Sequence, residues 1–154
     1  MNRMIVAVLA ALVALPVISM TPRTFAAATA SAKEKPAKPL HVSRGTPVSL
    51  ADLCIPGKTM VFDFYSDYCG PCVQVAPALA ALHEKRDDIV VVKVDINRPG
   101  IKGIDWKSPV AQQYRLNSIP HFKVYGPDGK LLAEDRPPQS AARLMVMRWI
   151  SSSQ

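Results

Sequence analysis

An α/β fold, with a central mixed β-sheet flanked by helices on both faces, is what the chain predicts, and three observations carry that expectation. Two short runs of β-formers, Thr59 to Tyr65 (TMVFDFY) and Ile89 to Ile96 (IVVVKVDI), read as buried strands. The stretch between them, Cys72 to Arg86, repeats apolar residues at helical spacing. Beyond them, Phe122 to Tyr125 and Lys130 to Glu134 flank Gly126-Pro127-Asp128-Gly129, a hairpin signature.

Before the first strand lies an appendage. Met1-Asn2-Arg3 is a short basic head, Met4 to Met20 carries no charge, and Thr21 to Ala32 is rich in Ala, Ser and Thr. Residues 1–30 therefore predict a secretory signal, cleaved near 26–32. The alternative is a retained anchor with the domain facing the periplasm. The apolar run is shorter than the ~20 residues that span a bilayer comfortably, and Pro16 interrupts it. Residues 31–39, which include KEKPAKP, read as a flexible Lys/Pro-rich lead. Residues 40–154 are long enough for one modest core.

Within the first helix, Val73, Ala76, Ala80 and Leu82-His83 form the expected inward stripe, and Pro77 should kink it. Asn97 to Lys107 is a loop with two glycines and a proline. Ser108 to Tyr114 predicts a short helix, with Ser108 as cap and Pro109 in its first turn. Ser140 to Ile150 closes the domain as an amphipathic helix with Leu144, Met147 and Ile150 on one side. The order is strand, helix, strand, helix, strand, strand, helix.

The formal net charge is +7, and the first thirty residues hold Arg3 and Arg23, which leaves +5. The remaining positives are scattered, without aromatic interleaving, so no nucleic-acid footprint is expected. Three cysteines, Cys54, Cys69 and Cys72, do not make the even set of a stapled secreted domain.

Cys69-Gly70-Pro71-Cys72 sits at a strand-to-helix junction. The first sulfur would stand where unpaired N–H groups and the helix dipole favour negative charge. The second lies about one turn deeper and would resolve a mixed disulfide. Gly70 permits the tight entry, and Pro71 costs no helical hydrogen bond. A zinc or copper site wants more ligands than this pair, Cys54 and the scattered His41, His83 and His121 offer, so no metal ligand is assigned. Asp63, in the middle of VFDFY, is either a carboxylate at a polar sheet edge or a buried acid with a raised pKa that takes a proton from Cys72. Pro120, after Ile119, stands at a strand entrance where a tight approach can use a cis bond.

VFDFYSDYCGPCVQVAP, followed by VVKVDIN and NSIPHFKVYGPDGK, resembles the thioredoxin family over Thr59 to Glu134. The resemblance implies a thioredoxin-like fold. It makes Cys69 the nucleophile, Cys72 the resolving cysteine, Asp63 the buried acid and Lys93 its neighbour. Pro77 matches the kinking proline. Pro120 matches a cis-proline packed over the disulfide, and Ile119 the residue whose backbone pairs with an extended substrate. Tyr68, Gly70 and Pro71 complete the expected substrate-binding surface. Tyr65 and Tyr68 stand where the family usually has tryptophans. His121 follows the cis-proline position, and a protonated imidazole there would stabilise a thiolate if it lay near the cysteines. The Asn97–Lys107 loop is longer than the family's usual connection. Trp106 within it is either a core plug or a partner contact, and Cys54 a buried free thiol or a regulatory one.

Together these features predict an exported, periplasmic thiol–disulfide oxidoreductase, chiefly a reductase. Its only redox group would be the Cys69–Cys72 disulfide, with no separate cofactor. Disulfide-containing exported proteins would be its partners, and a membrane-embedded thiol donor would supply electrons. The alternative is a copper or zinc chaperone or sensor built on the same cysteines.

Overall fold

The computed structural model describes residues 33–136 and 139–154. The secretory signal expected over 1–30 lies outside them. The elements are β1 (Leu40–Val42), α1 (Leu50–Leu53), β2 (Thr59–Tyr65), α2 (Gly70–Lys85), β3 (Ile89–Asp95), α3 (Pro109–Gln113), β4 (His121–Tyr125), β5 (Leu131–Arg136), β6 (Gln139–Ser140) and α4 (Ala141–Ser152). They form one mixed sheet in the order β1-β3-β2-β4-β5-β6. β3 pairs parallel with β1 and β2, whereas β4 runs antiparallel to β2 and β5, and β5 to β6.

β2 and β3 occupy the centre because nearly every residue in them is apolar and both faces are covered. On one face Phe62, Phe64, Val92 and Val94 pack with Leu50 of α1 and Val110 of α3. On the other, Val61, Val91, Phe122 and Val124 pack with Leu79 and Leu82 of α2 and with Val146 and Ile150 of α4. Alternation along β2 therefore sends Asp63 and Tyr65, like Val61, to the face that carries α2.

Two expected helix faces are corrected. In α2, Leu82 and His83 are buried as expected, but Val73 is 55% exposed and Ala80 is exposed, and Cys72 and Leu79 face inward in their place. In α4 Leu144 is 69% exposed, and the inward residues are Ala142, Val146 and Ile150. Those three recur every fourth position, the spacing of one helical face.

The lead is also corrected, because Lys33 to Pro39 does not trail freely. Lys35 Nζ donates to the carbonyls of His83 and Arg86, at the C-terminal end of α2, where helical carbonyls lack partners. His83 joins three segments. The Val91 N–H donates to its Nδ1 at 3.0 Å, so the proton sits on Nε2, which donates to the Pro36 carbonyl at 2.8 Å. Burial holds this imidazole below the ordinary histidine range.

Gly45 fixes the approach of the Asn97–Lys107 loop. Its φ is +81°, its N–H donates to the Asp95 carbonyl, and its carbonyl accepts from the Val110 N–H. A Cβ there would lie 2.7 Å from the Arg98 backbone nitrogen. Gly45→Ala must therefore strain one backbone and displace another. It should lower stability by about 2 kcal/mol or more, read as a lower urea midpoint at unchanged slope. A midpoint equal to that of the parent would mean that this contact yields freely.

Candidate active site

β2 ends in a turn that delivers the cysteine pair to the tip of α2. Ser66, which sequence reasoning passed over, is fully buried in that turn. Its carbonyl accepts from the Cys69 N–H at 3.0 Å and its hydroxyl from the Tyr68 N–H at 3.1 Å. Short Ser, Asp and Thr side chains that bond the backbone two residues on are a recognisable turn signal, and Ser66-Asp67-Tyr68 carries it.

Cys69 is the N-cap of α2, which begins at Gly70, two residues earlier than expected, with Pro71 in its first turn. Cys69 and Cys72 form a disulfide with Cα atoms 5.2 Å apart. Cys69 Sγ also accepts from the Cys72 N–H at 3.2 Å. On reduction, that donor and the helix N-terminus would favour negative charge on Cys69 Sγ over a free thiol.

With Cys72 expected one turn deeper, Cys69 is the outer member of the pair. It is only 4% exposed, against 1% for Cys72. The reason is a cluster in which Tyr65, Ile104 and Ile119 pack around both sulfurs. The Ile119 carbonyl lies 3.6 Å from Cys69 Sγ. The Ile119–Pro120 peptide is cis. Arg143 of α4 donates to the Pro120 carbonyl. Buried Asp135 accepts from the Phe122 and Arg143 N–H groups. Around the disulfide, Tyr68 is 55% exposed, and Gly70, Pro71 and Pro77 also face solvent.

Asp63 is fully buried, and neither of its carboxylate oxygens has a hydrogen-bond partner. The polar-edge alternative is thereby excluded, since β2 is a central strand. Burial pushes the Asp63 carboxyl up to about 7, opposed by the charge of Lys93. Lys93 is its register partner on β3, and its ammonium lies 3.9 Å from the Tyr65 ring centroid. The Tyr65 hydroxyl is 3.1 Å from His41 Nδ1. Burial first, then Asp95, Asp67 and Asp63, push the Tyr65 phenol up to about 12, so it stays neutral and can act as a donor.

His121 does not join this group. It pairs in register with Phe64, whose face carries α1 and α3, opposite that of Asp63. Burial holds its imidazole below the ordinary range. A neutral ring on the far side of the sheet offers no charge to Cys69, so the thiolate-stabilising role is set aside. Trp106 is half-buried and packs against the α1/α3 core, as a plug does. Cys54 is a free, half-buried thiol whose Sγ donates to the Leu50 carbonyl at 3.4 Å, and burial pushes its pKa up. Among the described residues no three His, Cys, Asp or Glu side chains converge as metal ligands would.

Comparison with known proteins places this site in a family. The thioredoxin family model matches residues 51–145. Chloroplastic thioredoxin F1 of Arabidopsis thaliana is 36% identical over 77 residues, covering 50% of this chain and 39% of that protein. A thioredoxin of Streptomyces clavuligerus is 36% identical over 75 residues, covering 49% of this chain and 63% of the relative. The chain thus spans less than two thirds of the length of these curated relatives. Among solved structures, Chlamydomonas reinhardtii thioredoxin f2 superposes with a TM-score of 0.52 at 25% identity, over 75% of this chain and 96% of that one. Spinach chloroplast thioredoxin f, in its short form, gives 0.52 at 21%, over 76% and 94%, a likeness of fold. With a Cys-Gly-Pro-Cys disulfide at a helix tip and a family model spanning most of the folded region, the chain belongs to the thioredoxin family.

Proposed function

We propose that the protein is an exported, periplasmic thiol–disulfide oxidoreductase that reduces disulfides in exported proteins. The observation that carries this reading is the Cys69–Cys72 disulfide at the N-cap of α2, with Cys69 Sγ accepting the Cys72 N–H. In the reduced protein the Cys69 thiolate attacks one sulfur of a substrate disulfide. A mixed disulfide forms, and the first substrate thiolate leaves. Cys72 then attacks Cys69 Sγ, closing the internal disulfide and expelling the second substrate thiolate. Two electrons pass from the protein dithiol to the substrate.

The proton on Cys72 needs a destination as that sulfur attacks. Asp63 stands on the α2 face of the sheet, and its carboxyl, raised to about 7, is poised to exchange a proton near neutral pH. Ile119, beside Cys69, offers backbone groups to an extended segment. Tyr68, Gly70 and Pro71 form the exposed shoulder of the same surface. No separate cofactor is invoked. The oxidised protein is re-reduced by a dithiol donor, which for an exported domain would be membrane-embedded. Export is supported by the basic head, apolar run and small-residue stretch of residues 1–32.

The direction is tested by the equilibrium potential of the Cys69–Cys72 couple against glutathione, with reduction of insulin disulfides as the activity measurement. A reductase should poise near about −270 mV, and a value above about −150 mV would reverse the assignment, since strong oxidants of related chemistry lie near about −120 mV.

A further inference from the structure

The loop between β3 and α3 has a built shape. Arg98 Nε donates to Asp105 Oδ2 at 2.7 Å and its Nη2 to Oδ1 at 3.0 Å, and Asp105 is 5% exposed. Asn97 Nδ2 donates to the Gly103 carbonyl at 2.6 Å, and Asn97 Oδ1 accepts from the Asp105 N–H at 3.3 Å. These bonds cinch the loop on both sides of Ile104 and deliver that side chain onto the Tyr65, Cys69 and Cys72 cluster. Ile119 approaches the same cluster from the start of β4. Ile104 and Ile119 therefore flank the two sulfurs, one from the loop and the other from the approach to β4.

The exposed charges differ between this loop and the turn before Cys69. On the loop side, Lys102 and Lys107 are exposed, and neither is ion-paired among the described residues. The loop's carboxylate, Asp105, is buried and neutralised by Arg98. On the cysteine side, exposed Asp67 precedes Tyr68.

We propose that Asn97–Lys107 is a specificity wall. Ile104 packs an apolar side chain of the substrate beside its reacting cysteine, and Lys102 and Lys107 select polypeptides whose cysteine is flanked by acidic residues. The proposal rests on the reductase reading, since it names the substrates of that same site. Complementary charge steers encounter and penalises the wrong partner, and Asp67 would repel an acidic flank laid the other way. An apolar contact beside the sulfurs removes water from the exchanging atoms and fixes their approach.

The test uses the reduced full chain and two peptide disulfides that differ only in carrying glutamate or lysine around the cysteine. 2-Hydroxyethyl disulfide, small and neutral, checks that the wild-type protein exchanges disulfides at all. At low ionic strength the second-order rate constant for oxidation of the reduced chain by the glutamate peptide should exceed that for the lysine peptide by about tenfold, and the ratio should fall toward one as salt rises. The double substitution Lys102→Glu, Lys107→Glu should invert the ratio. Ile104→Ser should shrink the preference for leucine over serine beside the peptide cysteine by several-fold, within the range that one buried methylene or more is worth. Equal rates for the two charged peptides, or a preference that survives the charge reversal, overturn the proposal while 2-hydroxyethyl disulfide is still reduced. Failure to reduce 2-hydroxyethyl disulfide sinks the reductase reading, and this proposal with it.

Discussion

Asp63→Asn should stabilise the oxidised protein by roughly 4 kcal/mol at about pH 8, and by little at about pH 4. The carboxyl is fully buried without a hydrogen-bond partner, and its folded pKa stands near 7 against 3.8 for the free group. Between those values the folded chain keeps a proton that the unfolded chain has lost. The stability contributed by protonated Asp63 is thus fully present below about pH 4 and lost as pH rises through about 7. Three units at about 1.36 kcal/mol each set the scale. Asparagine has no charge to desolvate, so its stability should not show this decline. The measurement is urea unfolding of both proteins at the two pH values. Equal stabilities at pH 8 would mean that water or Lys93 already compensates the buried charge. On the proposed mechanism the same substitution should also slow resolution of the mixed disulfide, because it removes the group proposed to accept the Cys72 proton. That slowing should be largest near neutral pH, where Asp63 changes protonation.

The second large effect separates the two cysteines. Cys72→Ser should convert the reduced protein into a trap that attacks substrate once and holds it as a covalent adduct. Turnover should drop by on the order of 10³-fold or more, since only external thiol can release the product. Cys69→Ser should show neither turnover nor adduct. Mass spectrometry of the protein after mixing with a peptide disulfide distinguishes them. An adduct on Cys72 in Cys69→Ser would reverse the roles, and it would do so against burial, because Cys72 is 1% exposed.

Much of this architecture was legible because β2 and β3 are unbroken apolar runs that only a sheet covered on both faces can bury. β2 occupies Thr59–Tyr65, as its composition indicates. β1 carried no such signal. Its three residues are mostly exposed, and they form a strand only because β3 supplies hydrogen-bonding partners. α1, four residues long, and β6, of two, fail for the same reason of length. The α4 face was misread because that helix is apolar on several sides, so periodicity alone did not select Val146 over Leu144.

The site was legible where chemistry constrains spacing. Cys69 and Cys72 lie one helical turn apart, and an acid amid β-formers at Asp63 announces its own cost. Ile104 was not legible. It is an ordinary residue in a glycine-bearing loop, and only closure of the Arg98–Asp105 pair places it on the sulfurs. His121 depended on register. One position of slip along β4 would have turned it toward Asp63, and the pairing with Phe64 turns it away.

The lysine and histidine staple at the far end of α2 has a mechanical meaning. The helix runs sixteen residues from Gly70 to Lys85, about 24 Å at the usual rise. The redox tip lies at one end of that rod, and the chain's upstream attachment, through Lys35 and Pro36, at the other. A pull on Lys35 and Pro36 would therefore meet the C-terminal end of α2 first, the end remote from the disulfide.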